Sequence, residues 1–434
     1  MSTLAEVVLW GRRIGAVMLE DGEETAVFQY TPEFAGSGFE IAPLTMPLSP
    51  RPYSFPELDS RTFHGLPGLL ADSLPDRYGN ALIDAWLARQ GREPDSFDAV
   101  ERLCYVGSRG MGALEFRPTL GPEANRSDRI HVADLVELAN EILGRRQDLE
   151  YSFDRDDREN ALRSILRVGT SAGGARAKAV IAWNPETNEV RSGQIEAGSG
   201  FEYWILKFDG VRPDAEREIG DALGYGAVEY AYHLMAKAAG ITMTECRLFN
   251  ENDRRHFMSR RFDRTRAGDR LHMQSLGAIA HLDFNLAGAH SYEQALHVIR
   301  KLGLPMRDLE ELYRRAVFNI VARNQDDHVK NIAFLMDRTG RWSLSPAFDV
   351  TYSYNPSGTW TSRHQMSFNG KRDGFEREDF RAVSRGASLK RGRGEQILAE
   401  VTEAVHRWPE FADAAGLSDE TTERIRRMHR LDLL

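Results

Sequence analysis

Over roughly the first 55 residues, apolar and polar positions alternate in the period-two manner of strands. EVVLWGRRIGAVML alternates, breaks at a glycine-containing turn, and the pattern resumes at ETAVFQY. Pro43, Pro47, Pro50 and Pro52 then mark a loop. From Gly65 to Leu87 the chain reads as short helical pieces punctuated by Pro and Gly, and VGSRGMGALEFRP (106–118) as a glycine-rich turn running into a strand. A polar linker near Gly121–Asp128 precedes HVADLVELANEIL, which starts a helix, and DRDDREN (154–160) is a charged, solvated stretch. RVGTSAGGARAKAVIAW (167–183) is a second glycine-rich turn entering a strand, and EYWILKFD (202–209) is another strand. GAVEYAYHLMAKAAG (226–240) carries apolar residues at helical spacing, while ECRLF, a polar turn and HFMSRRFDR (256–264) predict a hairpin. Beyond Leu276 the spacing is helical, ending in two amphipathic segments, EQILAEVTEAVHRW and DETTERIRRMHRL.

The stretch VFNIVARNQDDHVKNIAFLMDRTGRWSLSPAFDVTYSY (317–354) carries the chemistry. Asp326 and Asn331 lie five positions apart between apolar runs, and Asp349 follows a further apolar run. Phosphoryl transfer needs one carboxylate to receive a hydroxyl proton and hard oxygen ligands to hold Mg²⁺ against phosphates. Protein kinases space a catalytic Asp, a metal-binding Asn and a later metal-binding Asp in this way. The glycine-rich turn around Ser171, Ala172, Gly173 and Gly174, with Lys178 after it, suits phosphate oxygens. It equally suits a hairpin with tight turns. Lys207, on a strand among apolar residues, calls for an anion. Glu229 on the following helix completes a kinase-like Lys–Glu pair, or else is a surface residue at a helix start. Strands followed by helices then predict an α+β, bilobal protein-kinase-like fold. We expect a β-rich N-terminal subdomain over 1–120, a nucleotide-binding lobe over 121–265 and a helical catalytic lobe over 266–434.

Composition narrows the partners. The net charge is -9, against a free-standing nucleic-acid binder. Two cysteines, Cys104 and Cys246, are too few for a disulfide framework and wrongly spaced for zinc. Charges interrupt the first apolar run, so no signal peptide is expected. No stretch has the apolar length of a membrane span, so a cytoplasmic protein is expected.

LADSLPDRYGN, VGSRGMGALEF, SAGGARAKA, WILKF, RRFDR, NQDDHVKN and LSPAFDVTYS, in that order, resemble the HipA family of serine/threonine kinases. These are the toxin halves of bacterial toxin–antitoxin pairs, and the resemblance covers nearly the whole chain. It implies ATP and Mg²⁺ as cofactors, Asp326 as catalytic base, Asn331 and Asp349 on the metal, and Lys207 on the nucleotide phosphates. It implies autophosphorylation at Ser171, with Thr170 a second possible site, and adenine held by the backbone at Arg260–Phe262. A small helix-turn-helix antitoxin of the HipB kind is the implied partner, through which DNA is contacted. The implied substrate is an aminoacyl-tRNA synthetase, whose phosphorylation halts translation and growth. Two departures stand out: Asp327 follows Asp326 where the family usually has Gly, and Arg260 replaces a frequent acidic residue. Lys330 either stabilises charge on the transferring phosphoryl group or faces solvent. His328 either orients the loop or packs within it. A small-molecule kinase and a non-catalytic co-repressor are the alternatives.

Overall fold

The computed structural model describes residues 2–120, 130–144, 165–166, 168–169, 176–194, 197–211, 224–265 and 268–433. They fall into two compact units, Met1–Leu223 with Phe249–Met273, and Gly224–Leu248 with Gln274–Leu434.

The first unit opens with a four-stranded antiparallel sheet in the order Val27–Tyr30, Arg12–Leu19, Thr3–Leu9, Leu114–Arg117. Ala5, Val7, Val8, Leu9, Ile14 and Val17 are buried, the alternation giving way to a run of three where the register shifts between Val7 and Val8. Leu9 pairs directly with Arg12, so Trp10 and Gly11 form a two-residue hairpin turn. Both have positive φ, 50° and 80°, the hand that matches strand twist. Helices Arg77–Arg89 and Ala99–Val106 follow, N-capped by the carboxylates of Asp76 and Asp98.

A second sheet has the order Glu189–Ser192, Lys178–Asn184, Glu202–Lys207, Arg254–Arg260, Cys246–Glu251, the last strand entering this unit at Phe249. Six of the seven residues of Lys178–Asn184 are buried, as expected for a near-continuous apolar run flanked by strands on both sides. Its core includes Ile181, Trp204 and Leu206, with Val136 and Ala139 of helix Val132–Gly144. Tyr78 and Leu82 of helix Arg77–Arg89 join the same cluster. Tyr78 and Leu82, from the expected N-terminal subdomain, thus pack into the core of the second sheet.

RRFDR is a buried ionic clamp in that unit. Asp263 accepts from Arg261 Nε at 2.9 Å and Nη2 at 2.7 Å, from Arg264 Nη1 at 2.8 Å and from the Gly112 N–H at 2.7 Å. Burial would raise its carboxyl, but Arg261 and Arg264 outweigh that and hold it well below the usual range. RRFDR is thereby tied to the glycine-rich turn of VGSRGMGALEF.

The second unit is mainly helical. Met306–Val321 packs on Arg393–His406, and Tyr225–Ala238 on Trp408–Ala414. Within it, strands Ala333–Met336 and Trp342–Leu344 form a hairpin that carries the chain from Asn331 toward Asp349. No described helix is long and apolar enough to cross a membrane.

Candidate functional site

Helix Met306–Val321 ends where Arg323 adopts a left-handed φ of 58°, and the chain enters an irregular loop over 324–328. A short 3-10 turn, Val329–Asn331, closes the loop, with Val329, Ile332, Ala333 and Phe334 buried behind it. The apolar run after Asn331 thus anchors one end of the loop, as the helix anchors the other.

The loop joins its two principal residues directly. Asn331 Nδ2 donates to the Asp326 carbonyl at 2.8 Å, and the Asn331 N–H to the His328 carbonyl at 2.9 Å. The Asp326 N–H donates to Ser353 Oγ at 3.2 Å, and that hydroxyl donates to Asn324 Oδ1 at 2.8 Å. Ser353 lies four residues beyond Asp349, so the segment carrying Asp349 is fastened to the loop carrying Asp326. Asp349 itself is a non-glycine residue at φ 52°, a conformation that costs free energy and clusters at functional sites.

The two adjacent carboxylates have separate environments. Asp327 is 3% exposed; its oxygens accept from Tyr292 Oη at 2.8 Å, His364 Nδ1 at 2.8 Å and the Gln365 N–H at 2.7 Å. Burial alone would raise its carboxyl, but His364 and the other donors outweigh that and lower it. The Asp326 side chain is 44% exposed. Its Oδ1 accepts from Trp360 Nε1 at 2.7 Å, and Oδ2 has no donor among the described residues. Of the two, Asp326 is the one a ligand can reach.

Mg²⁺ prefers a few protein oxygens supplemented by phosphate and water. Because Asn331 Nδ2 is committed to the Asp326 carbonyl, its Oδ1 is left as the acceptor, with no donor among the described residues. Asn331 and Asp349 would supply one hard oxygen ligand each. The described residues hold no cluster of three or more His, Cys, Asp or Glu able to bind a metal alone. That donor set fits a metal shared with a nucleotide.

Other expected residues are distributed as follows. Lys207 ends strand Glu202–Lys207, with Lys178 and Phe257 as its cross-strand neighbours and its ammonium 5.7 Å from the Phe257 ring centroid. Lys178, expected to meet phosphate, is 2% exposed and bonded to Asp76 Oδ2 at 2.8 Å. Its charge is already matched by a buried carboxylate. Glu229 belongs to the second unit and is buried, so the surface alternative does not hold. Arg260 pairs with Glu202 at 3.3 Å, and Phe262 is partly buried. His328 Nε2 is 3.9 Å from Asp326 Oδ1, and its ring lies 5.7 Å from that of Phe284. Lys330 sits with its ammonium 4.8 Å from the same Phe284 centroid. Thr170, Ser171, Ala172, Gly173 and Gly174 lie outside the described residues.

Two contacts had no signal in the sequence. Trp360 sits in the polar run NPSGTWTSRHQ, 34 positions from Asp326. Asp76 lies 102 positions from Lys178.

Residues 170–409 match the HipA-like C-terminal domain family, and residues 5–117 match the HipA N-terminal domain family. The chain belongs to the HipA family. A HipA chain from Shewanella oneidensis MR-1, solved as a HipA, HipB and operator DNA complex, superposes with a TM-score of 0.67 at 17% identity. The superposition covers 98% of this chain and 94% of that one, so the HipA fold runs through both matched regions. A Sinorhizobium fredii protein named "Putative kinase Y4mE" is 27% identical over 125 residues, 27% of this chain and 30% of that relative. The matched stretch thus spans less than a third of that relative's length. In HipA terms the loop from Asn324 to Asn331 and the segment around Asp349 lie in the C-terminal domain, and the Asp76 cap lies in the N-terminal domain.

Proposed function

We propose that this chain is a protein serine/threonine kinase toxin that uses Mg-ATP. The observation that carries the proposal is the bond from the Asn331 amide to the Asp326 backbone, which joins an exposed carboxylate and an amide oxygen in one short loop. In the proposed reaction a substrate hydroxyl oxygen attacks the γ-phosphorus of ATP and its proton passes to Asp326. The bond from that phosphorus to the β–γ bridging oxygen breaks, and ADP leaves. Asn331 and Asp349 hold Mg²⁺, which when bound neutralises charge on the phosphate oxygens. Lys207 binds the nucleotide phosphates, the backbone at Arg260–Phe262 holds adenine, and Glu229 supports the site from its buried position. Lys330 and His328 act on the loop through packing against Phe284.

The HipA family membership supports a cytoplasmic toxin paired with a small helix-turn-helix antitoxin, which carries the DNA contact for this acidic chain. An aminoacyl-tRNA synthetase is the proposed substrate. Autophosphorylation of Ser171, or of Thr170, places about -1.5 to -2 charges where ATP phosphates belong and switches the enzyme off.

The test is transfer from labelled Mg-ATP into a cell lysate by wild type and by Asp326→Ala. A labelled protein of synthetase size, absent with the variant, is expected. Turnover of ATP with small metabolites and no labelled protein would instead support a small-molecule kinase. ATP binding without transfer would support a co-repressor.

A further inference from the structure

Residues 355–365 form no helix or strand, yet they are bolted to both neighbours of Asp326. On one side, Gln325 Nε2 donates to the Thr361 carbonyl at 3.1 Å. On the other, the buried Asp327 accepts from His364 Nδ1 and from the Gln365 N–H. Gln365 Nε2 in turn donates to the Trp360 carbonyl. Arg430 closes the assembly, bonding His364 Nε2 at 3.1 Å and Gln325 Oε1 at 3.2 Å. An arginine on Nε2 makes that nitrogen the acceptor, so Nδ1 carries the proton given to Asp327. The outcome of these bonds is a single delivered contact, Trp360 Nε1 on Asp326 Oδ1 at 2.7 Å.

That contact supplies what the loop otherwise lacks. Asn331 and Ser353 fix the main chain of Asp326, not its carboxylate. The side chain is 44% exposed, and the terminal torsion of an aspartate is soft. His328 Nε2, at 3.9 Å, is beyond hydrogen-bond distance. An indole N–H is donor-only and does not titrate, so it orients a carboxylate without competing for the proton.

We propose that Trp360 is the positioning residue for Asp326, its indole N–H fixing Oδ1 so that Oδ2 receives the proton of the substrate hydroxyl. Asp327, through its bonds to His364 and Gln365, is the anchor that holds Trp360 in place. This rests on the kinase reading of the same site.

The test compares wild type, Trp360→Phe and Asp326→Asn as full-length proteins. Trp360→Phe keeps an aromatic ring and removes the N–H; a urea titration checks that it folds. Loss of one hydrogen bond to a charged group should lower kcat for phosphate transfer roughly ten- to hundred-fold, with KM for ATP unchanged. In protein labelled at the indole nitrogens, the resonance absent from Trp360→Phe should shift in Asp326→Asn, because its acceptor changes from carboxylate to amide. An active wild type whose Trp360→Phe variant turns over as fast or faster overturns the assignment. So does an indole resonance that ignores Asp326→Asn. A wild type that transfers phosphate to no acceptor overturns the kinase reading itself, and with it the role given to Trp360.

Discussion

Replacing Asp263 by Asn tests whether the ionic clamp holds the first unit together. Asp263 is completely buried and accepts four bonds from Arg261, Arg264 and the Gly112 N–H. Arg264 Nη1 also donates to the Gly112 carbonyl at 3.1 Å, as does Arg270 Nε at 3.0 Å, while Arg270 Nη1 pairs with Glu115 at 3.0 Å. The asparagine keeps the shape and one acceptor oxygen, but its amide presents N–H groups toward guanidinium donors. Arg261, 2% exposed, is then left with its charge uncompensated. Removing one partner of a buried pair costs about 3–5 kcal/mol, and the retained oxygen places this case near the lower end, about 3 kcal/mol. For a unit of this size that corresponds to a melting temperature lower by about 6–12 °C. Differential scanning calorimetry of the two proteins reads it directly. Glu6→Gln is the control, since its pair with Arg13 is solvent-exposed and should leave the melting temperature in place. An Asp263→Asn protein melting within about 2 °C of wild type would refute the clamp, because it would mean the buried arginines need no counter-charge.

Lys178→Met should destabilise the protein by about 3 kcal/mol, leaving Asp76 buried with one fewer partner, and a urea titration measures this. Adding Asp76→Asn should recover part of the loss, because asparagine still caps helix Arg77–Arg89; additive losses would show that the pair is not coupled. Burial lowers His233, His256 and His272 to about 4 and His429 to about 3. The unfolded chain therefore binds more protons than the folded one between those values and about 6.5, so stability rises with pH across that range. Urea midpoints should be level near pH 7.5 and fall steadily from about pH 6.5 toward pH 4; a flat profile would show that these histidines stay accessible to protons.

Local patterns were legible where local physics decides. The turn at Trp10–Gly11 between two apolar-rich runs marked the hairpin, which pairs Leu9 with Arg12; the register shift between Val7 and Val8 left no trace in the pattern. That Asp326 and Asn331 share one short loop was legible from their five-residue spacing between apolar runs; the amide-to-backbone bond within it was not. The separation of Asp326 from Asp327 was not, since it depends on Tyr292, His364 and Gln365, all distant in sequence. The joining of the N-terminal subdomain to the glycine-rich lobe was equally hidden. Tyr78 and Leu82 look like the inner face of any amphipathic helix, and nothing local says they meet Trp204. Lys178 illustrates the limit for charge: a lysine after glycines suits phosphate in isolation, and only the fold brings Asp76 to it.

The most direct measurement is a quantitative phosphopeptide comparison of cells expressing wild type with cells expressing Asp326→Ala. A protein serine/threonine kinase of the kind proposed should yield a phosphoserine or phosphothreonine on an aminoacyl-tRNA synthetase that appears with wild type and disappears with the variant, alongside phosphorylation of Ser171 or Thr170. Identical phosphopeptide sets from the two strains, with both proteins folded and wild type binding Mg-ATP, would contradict it.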